Sequence, residues 1–529
     1  MARATRVVRN FYRDSVSLMQ FSSALAKLPG IKQASAVMAS AANLSLLREA
    51  GLLDGEIEAG ANDLLIALEG KADSALAAAL AQADADLHAE PRAAGVNGPL
   101  AAAAPRSIEM AVASNARANL ALISTPGEYA ASEAFKALQL GLNVMLFSDN
   151  ITPADEVALK RLARDQGLLV MGPDCGTAII NGVPLAFANV VRRGTIGCVA
   201  ASGTGLQQVT CLIDRLGLGI SQAIGTGGHD LHESVGGITM LQGIELLGAD
   251  RATKVLVLIS KPPAPEVADK VLLAASRIGK PVVVNFIGAD PASIRGRNLF
   301  PVKTLEDAAR AAVALARGRK PSLRARARAT TARGALPRLA AGQRYVRGLY
   351  SGGTFCYEAS LLLGEELGKV WSNAPVRAID ALADVWKSSG HTVIDLGDDV
   401  FTRGRPHPMI DHRLRNERIL AEARDAQVAV ILLDVVLGSG AHADPAAEIV
   451  PAIERARAVA AKRKRRIAFV GFVCGTPADP QDLARQEAAL RKAGMLLCAS
   501  NAEAVRLAAR IAGRGQAVER VARARGASR

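Results

Sequence analysis

The sequence predicts an α/β protein in which doubly wound parallel sheets follow a small ferredoxin-like α+β domain. Hydrophobic residues make up 50% of the chain and aromatic residues only 3%, a balance typical of βαβ units rich in Ala, Val, Leu and Gly. Short apolar runs alternate with stretches of helical period along most of the sequence. Residues 194–316 and 343–512 also repeat one pattern, which begins with a strand, a Ser-Gly turn and a helix.

The first 90 residues predict the α+β domain. The strand-like segments RVVRNFYRD, QASAVMAS and DLLIALEG alternate with the helical stretches SVSLMQFSSALAKL and NLSLLREAGLL and an Ala-rich helix from Ala72. The hydrophobic period therefore switches between 2 and 3.6, as ferredoxin-like packing requires. A linker rich in Pro, Gly and Ala follows at residues 90–107.

Residues 107–193 predict a Rossmann-like domain with the strands LALIST, NVMLFSD and LLVMGPD. Ligands of parallel sheets bind outside the carboxyl ends of the strands, so the residues after each strand are expected to line a nucleotide-like cleft. These residues are Ser124, Thr125, Pro126, Gly127, Ser148, Asp149, Asn150, Gly172, Pro173, Asp174 and Cys175. The segment has no GxGxxG in a dinucleotide-binding setting and no P-loop, which disfavours NAD.

The two repeated domains each place a glycine-rich turn at the start of a helix. Glycine lets the backbone approach a ligand, and the unpaired N–H groups and dipole of a helix N-terminus attract anions. Two such turns in matched positions suggest that both helices face one shared phosphate. The predicted anion-binding residues are Ser202, Gly203, Thr204, Gly205, Gly227, Gly228, Ser351, Gly352, Gly353 and Thr354. His229, which follows another strand, is the candidate acid or base.

The net charge of +14 does not by itself predict a nucleic-acid partner. Much of the surplus lies in a basic linker, residues 317–342, and a basic tail, residues 513–529, without interleaved aromatic residues. A small anionic substrate, phosphate or another protein subunit fits the charge equally well. There is no apolar run of roughly 18 residues, no metal-ligand spacing of histidines and no paired cysteines. We therefore expect a cytoplasmic protein that contacts neither membrane nor metal.

Longer stretches resemble a known enzyme superfamily. MGPDCGTAIINGVP, GTIGCVAASGTG and AIGTGGHD are similar to the α subunit of succinyl-CoA synthetase, and YVRGLYSGGT, VIDLGDD and ILLDVVLGSGAHAD resemble the carboxy-terminal domain of its β subunit. The resemblance covers about residues 107–512 and implies a CoA-binding Rossmann-like domain followed by two flavodoxin-like ligase domains. The fusion, the added amino-terminal domain and NFYRDSVSLMQFSS resemble the FdrA-type proteins of this superfamily.

Three departures from the synthetase alter the chemistry that the resemblance implies. The segment FIGADPASIRGRN stands where the synthetase carries its phosphorylated histidine, and it holds no histidine. Lys261 stands where the synthetase has the glutamate that orients that histidine, so Lys261, like Arg295 or Arg403, would supply fixed positive charge. No segment of suitable size remains for an ATP-grasp domain. His229 and Lys261 are therefore the candidate catalytic residues, and CoA or a nucleotide is an optional cofactor.

The FdrA-type resemblance implies an oxamate carbamoyltransferase that works with further subunits in ureide (allantoin) breakdown. In that reaction oxalurate and phosphate give oxamate and carbamoyl phosphate, and neither CoA nor ATP is needed. Two alternatives stay open. The first is an NDP-forming acyl-CoA synthetase that takes its ATP-grasp domain from a partner, and the second is a non-catalytic ligand-binding subunit.

Overall fold

The computed structural model describes residues 2–55, 57–88, 105–321, 338–403 and 405–526. The chain divides into two compact units, one formed by residues 1–173 with 399–411 and the other by residues 174–398 with 412–529. Most of both predicted linkers, at 90–107 and 317–342, lies outside the described residues.

The first unit opens with the small α+β domain. Its elements are β1 (Ala2–Val8), α1 (Ser15–Ala26), β2 (Ile31–Met38), α2 (Ala41–Glu49), β3 (Leu64–Gly70) and α3 (Asp73–His88). β3 pairs antiparallel with both neighbours in the order β1-β3-β2, the split βαβ arrangement of ferredoxin-like packing. Side chains alternate along β3, so Leu64, Ile66 and Leu68 pack with α1 and α3 while Leu65 and Ala67 pack with α2.

A Rossmann-like domain completes most of the first unit. Its elements are α4 (Ile108–Ser114), β4 (Leu120–Ile123), α5 (Gly127–Gln139), β5 (Asn143–Leu146), α6 (Pro153–Asp165) and β6 (Val170–Met171). The three strands are parallel in the order β4-β5-β6. α6 begins as its sequence predicts, since the Thr152 side chain accepts the Asp155 N–H and Pro153 takes the first helical position.

The second unit contains a domain built on a seven-stranded sheet. Its elements are β7 (Thr177–Ile180), β8 (Val183–Ala186), β9 (Arg193–Ala201), α7 (Gly203–Arg215), β10 (Ile220–Gly225), α8 (Ile238–Ala249), β11 (Val255–Ser260), α9 (Pro265–Arg277), β12 (Val282–Phe286), β13 (Leu299–Pro301) and α10 (Leu305–Ala316). The five parallel strands have the order β13-β12-β11-β9-β10. Numbered along the chain this is 2-1-3-4-5, the flavodoxin-like order.

The start of this domain differs from the boundary that we predicted at Gly194. β7 and β8 form a hairpin, and β7 pairs antiparallel with β10, so residues from Asp174 onward belong with the seven-stranded sheet. Asn181 and Gly182 have φ values of 51° and 81°, the left-handed conformations that a two-residue type I′ turn requires. The Rossmann-like part of the first unit thus ends at Pro173.

A six-stranded parallel sheet forms the other domain of the second unit. Its elements are β14 (Tyr345–Tyr350), α11 (Gly353–Leu367), β15 (Val370–Ser372), β16 (His391–Asp395), α12 (Asp399–Thr402, part of the first unit), α13 (Arg413–Arg424), β17 (Val428–Val436), α14 (Pro445–Lys462), β18 (Ala468–Cys474), α15 (Leu483–Lys492), β19 (Met495–Cys498) and α16 (Asn501–Gly526). The order β15-β16-β14-β17-β18-β19 is again 2-1-3-4-5 once the short β15 is set aside. The predicted repeat is therefore present, and α16 continues through most of the predicted tail.

Several residue types bear on chemistry. The six cysteines are buried free thiols, and burial raises the pKa of the Cys198 thiol to about 12. Within the described part of the chain, no group of three or more His, Cys, Asp or Glu side chains is placed to hold a metal ion. No described helix combines the length and the apolar character needed to cross a bilayer.

His391, the first residue of β16, is buried in its neutral form. Its Nδ1 accepts the Val346 N–H at 3.2 Å. Burial, followed by the charges of Arg347 and Arg344, lowers the pKa of His391 from 6.5 to about 4. Between these two values the folded state binds fewer protons than the unfolded state, so the contribution of His391 to stability is lost as the pH falls through this window.

We expect His391→Gln to change the free energy of unfolding, relative to the wild type, by about 3 kcal/mol between pH 7 and pH 4, in favour of the variant at pH 4. Fluorescence follows this domain selectively, because both tryptophans of the chain, Trp371 and Trp386, lie in it. A difference that stays constant with pH would contradict a neutral, buried His391.

Candidate functional site

The two glycine-rich turns meet in the second unit. Ser202 precedes α7, and its Oγ accepts the Gly205 N–H at 3.1 Å. The same Oγ lies 2.7 Å from Thr354 Oγ1, in the first turn of α11. A Cβ added to Gly352 would lie 3.0 Å from Thr204 Cγ2. The starts of α7 and α11 are therefore in direct contact, as the matched positions of the two turns predict.

A buried glutamate holds the two domains together behind this contact. Glu358 of α11 accepts the N–H of Leu305, the first residue of α10, and the Nδ2 of Asn501, the first residue of α16, each at 2.8 Å. Burial raises the pKa of Glu358 to about 7, while the Leu305 N–H and Asn501 act in the opposite direction. Because α10 belongs to one domain and α11 to the other, this network fixes the relative position of the helix starts.

Backbone donors are available at both helix starts. The N–H groups of Gly203 and Thr204 in α7, and of Gly353, Thr354 and Phe355 in α11, have no acceptor among the described residues. Such unpaired groups carry the positive end of the helix dipole and bind phosphate or carboxylate oxygens. The backbone of the two turns thus has unpaired donors at positions for which the sequence predicts anion binding, and that binding stays a prediction.

The side chain of Ser351 has a different partner from the one that we predicted. Its Oγ donates to Asp434 at 2.8 Å, and the N–H groups of Ser351 and Gly352 donate to the same carboxylate at 2.9 Å. Arg415 Nη1 also donates to Asp434 at 2.8 Å, and both of these charged side chains are fully buried. Ser351 and Asp434 therefore shape the turn, and the free donors begin at Gly353.

Asp395 lies against the start of α11. It is the last residue of β16, and a Cβ added to Gly353 would overlap its Oδ2. Its Oδ1 accepts the Gly397 N–H at 3.0 Å, whereas Oδ2 has no hydrogen-bond partner among the described residues. Burial raises the pKa of Asp395 to about 6, although the charge of Lys261 lowers it.

Gly353→Ala is expected to lower the free energy of unfolding of this domain by about 2 kcal/mol, because the added methyl group must displace the Asp395 carboxylate. Gly364→Ala, in the same helix, meets no atom within 4 Å and should be neutral or stabilising by up to about 1 kcal/mol. Tryptophan fluorescence during denaturation measures both variants. Equal effects of the two substitutions would show that the Asp395 contact is not close.

Lys261, His229 and His232 are near one another. Lys261 directly follows β11 and is exposed, and the His229 and His232 rings lie 5.1 Å apart. Partial desolvation of the exposed His232, followed by the charges of His229 and Lys261, lowers its pKa. Lys261 also counters the effect of burial on Asp395. Both predicted catalytic residues therefore belong to one cluster, which includes two residues that the sequence analysis did not select.

The loop after β10 supplies the second predicted glycine pair. Gly227 is buried with φ 89°, a conformation that favours glycine, and a Cβ on the exposed Gly228 would lie 3.2 Å from Asp174 Oδ2. Asp230 is fully buried and accepts the N–H groups of Thr239 and Met240 at the start of α8. Its carboxylate thus anchors the loop that presents His229.

The predicted nucleotide-like cleft falls on both units. Ser124 to Gly127, Ser148 to Asn150, Gly172 and Pro173 lie in the first unit, whereas Asp174 and Cys175 lie in the second. In the first unit Ser148 Oγ donates to the Thr125 carbonyl oxygen at 2.5 Å, and Asp149 is exposed, although partial desolvation of its carboxylate raises its pKa. Cys175 is 2% exposed, which agrees with a structural thiol.

One part of this cleft has the donors that a CoA or nucleotide phosphate needs. The Thr125 Oγ1 is buried and has no hydrogen-bond partner in the part of the chain that the structure describes, and α5 starts immediately afterwards without a side-chain cap. Thr125 and the first N–H groups of α5 would hold such a phosphate, and CoA would then supply the thiol for acyl transfer. The other cleft residues remain predictions.

Three family models match parts of the chain. A CoA-ligase model matches residues 349–511, a CoA binding domain model matches residues 191–288, and a model described as AllF, heavy metal-associated domain, matches residues 1–102. The CoA binding match falls on the seven-stranded sheet rather than on residues 107–173. Residues 1–102 contain no cysteine and a single histidine, His88, so they do not fit the thiolate sites that soft metals prefer.

The uncharacterized protein YahF of Escherichia coli (strain K12) is 43% identical over 93% of this chain and 95% of its own length. This chain belongs to the YahF family. The α subunit of an ADP-forming succinate–CoA ligase from Aquifex aeolicus is 28% identical over 32% of the chain and 57% of that subunit. The chain is also similar to a solved structure, a dinucleotide-forming acetyl-coenzyme A synthetase from Ca. Korarchaeum cryptofilum. That match covers 76% of this chain and 85% of the synthetase chain, with 16% identity and a TM-score of 0.30.

These matches support a protein of the succinyl-CoA synthetase-like superfamily, with an α/β fold and a small amino-terminal domain. They support an enzyme of the acyl-CoA ligase type. Several of the matched relatives are subunits of CoA ligases, which is consistent with protein partners for this chain.

Proposed function

We propose that this YahF-family protein is a subunit of an oxamate carbamoyltransferase, which converts oxalurate and phosphate into oxamate and carbamoyl phosphate in ureide breakdown. One observation carries the proposal. The contacting starts of α7 and α11 keep unpaired N–H donors beside Lys261, while the segment after β12 lacks the histidine that would be phosphorylated. A phosphate-binding site without a histidine to phosphorylate favours direct attack by phosphate on the acyl group.

The proposed reaction is balanced without ATP. One oxygen of hydrogen phosphate forms a bond to the carbamoyl carbon of oxalurate, and the bond from that carbon to the oxamate nitrogen breaks. The phosphate proton passes to the departing nitrogen. The N–H groups of both helix starts and the Lys261 ammonium would stabilise the negative charge that develops, because fixed dipoles aimed at such charge lower the barrier. His229 is the candidate carrier of the proton.

An acyl-CoA synthetase that uses a separate ATP-grasp partner is the second candidate. It is favoured by the match to a CoA binding domain model and by the orphaned Thr125 hydroxyl at the start of α5. In such a synthetase another group would have to take the role of the missing phosphohistidine. A non-catalytic subunit would instead assemble normally and leave complex activity unchanged when the two turns are altered.

A paired activity assay distinguishes the candidates. The purified chain, alone and with the products of its neighbouring genes, is given oxalurate and phosphate, and carbamoyl phosphate is measured. The proposal expects carbamoyl phosphate only with the neighbouring subunits. Acyl-CoA formation with ATP, CoA and an ATP-grasp partner, in the absence of carbamoyl phosphate, would instead support the second candidate.

A further inference from the structure

Asp395 is a buried carboxyl group that has no role in the proposed reaction. It is only 8% exposed, yet Oδ2 has no hydrogen-bond partner among the described residues. A carboxylate in such a poorly solvated position favours a bound proton or a ligand over a bare negative charge. The oxygen lies against Gly353, where the unpaired N–H groups of α11 begin.

The groups around Asp395 come from every neighbouring element. Lys261 follows β11 and attracts the ionised form, whereas Asp434 on β17 and Asp398 in the loop after β16 repel it. Cys356 of α11 is a fully buried thiol whose pKa is raised by burial and by Asp395. The Gly397 N–H already bonds to Oδ1, so only Oδ2 remains available toward the helix start.

An ionised Asp395 and a bound phosphate would place like charges at one helix start. Two anionic groups that share a site in a poorly solvated environment do not both stay ionised, and the usual outcome is that one of them takes up a proton. A neutral carboxyl group has an O–H donor, which an oxyanion accepts readily. Protonation thus converts Asp395 from a repelling group into a further donor.

We infer that Asp395 completes the anion site as a neutral carboxylic acid, which donates a hydrogen bond from Oδ2 to a tetrahedral oxyanion at the start of α11. This inference rests on the phosphate site of the proposed function. Its consequence is that anion binding takes up one proton above the pH at which Asp395 ionises, so acidification strengthens the binding of phosphate-bearing substrates.

Sulfate is the appropriate probe, because its charge does not change between pH 5 and pH 8. Titration calorimetry on the full chain is expected to show an association constant that falls about tenfold for each pH unit above about 6 and levels off below it. In two buffers of different ionisation enthalpy at pH 7.5, the wild type should take up about one proton per sulfate bound.

Asp395→Asn is the decisive variant, since the amide keeps the shape and offers an N–H donor at every pH. It should bind sulfate without proton uptake, and more tightly than the wild type at pH 8. Glu454→Gln, the same chemical change on α14, should keep the wild-type pH dependence. A wild type that binds sulfate equally at all pH values, or does not bind it, would overturn the inference, as would a full pH dependence in Asp395→Asn, which would indicate His229 or His232.

A measurement on the wild type covers the case in which Asp395→Asn does not fold. With ¹³C-labelled aspartate, the infrared difference spectrum on sulfate binding at pH 7.5 should gain a protonated carboxyl band, and its absence would refute the inference. The carbamoyl phosphate assay is independent of both results. Carbamoyl phosphate formation together with pH-independent sulfate binding would leave the proposed function standing and remove the role of Asp395.

Discussion

Lys261→Glu is expected to abolish phosphate binding at the starts of α7 and α11 and to lower the turnover of the assembled enzyme at least about 100-fold. The substitution replaces the cation that directly follows β11 with an anion, next to the buried Asp395. Removal of a single preorganised stabilising group commonly costs about two to three orders of magnitude in turnover, and charge reversal adds repulsion. Calorimetric phosphate titration and the carbamoyl phosphate assay measure the two effects.

Lys254→Glu is the matched control for this prediction. Lys254 is exposed and directly precedes β11, so it lies at the opposite end of that strand from Lys261. The charge change is therefore identical but distant from the helix starts. Phosphate affinity and turnover should stay close to those of the wild type. If Lys261→Glu retained wild-type phosphate affinity, the anion site would have to lie elsewhere.

Asp434→Ala is expected to lower the free energy of unfolding of the six-stranded domain by about 3–5 kcal/mol. The substitution leaves Arg415 as a buried, uncompensated charge and removes the acceptor of the Ser351 and Gly352 N–H groups. Breaking a buried pair from one side is strongly destabilising, because the remaining charge cannot regain its hydration. Denaturation followed by tryptophan fluorescence gives the value for this domain.

Lys387→Ala tests whether burial is the reason. Its ion pair with Asp384 is similar in length, 2.9 Å, but lies at the surface, where such pairs contribute at most about 1 kcal/mol. A small effect of Lys387→Ala beside a large effect of Asp434→Ala is the expected outcome. Comparable effects would mean that the Asp434 carboxylate does not organise the turn before α11.

Much of the fold could be predicted from local sequence patterns. The strands of the repeated domains are short apolar runs that end in Gly or polar residues, and the flavodoxin-like order follows from their repetition. The β7–β8 hairpin is not part of the sequence prediction, although Asn181-Gly182 is a strong type I′ turn signal, because its position directly after LLVMGPD favours the preceding domain. The domain boundary consequently lies some 20 residues earlier than predicted.

The candidate site was only partly predictable. Glycine-rich turns indicate helix starts from local sequence alone. Because the two turns occupy matched positions of the repeated domains, the sequence also suggests that the starts of α7 and α11 lie together. The network beneath it does not, since Ser351 and Asp434 are 83 residues apart and only the packed sheet brings them together. Asp395 ends a predicted strand, but its burial and the charges that act on it depend on residues distant in the sequence, such as Lys261 and Asp434. Charges that lie buried across such distances leave no periodic signal in a sequence.

The fate of ³²P-labelled phosphate tests direct attack without a phosphohistidine most directly. The chain and its partner subunits are incubated with oxalurate and labelled phosphate, and both the small molecules and the protein are analysed. The predicted result is label in carbamoyl phosphate and none on the protein. Label on a histidine of the protein, or label transfer that requires ATP and CoA, would contradict the account and return the chain to the acyl-CoA synthetases.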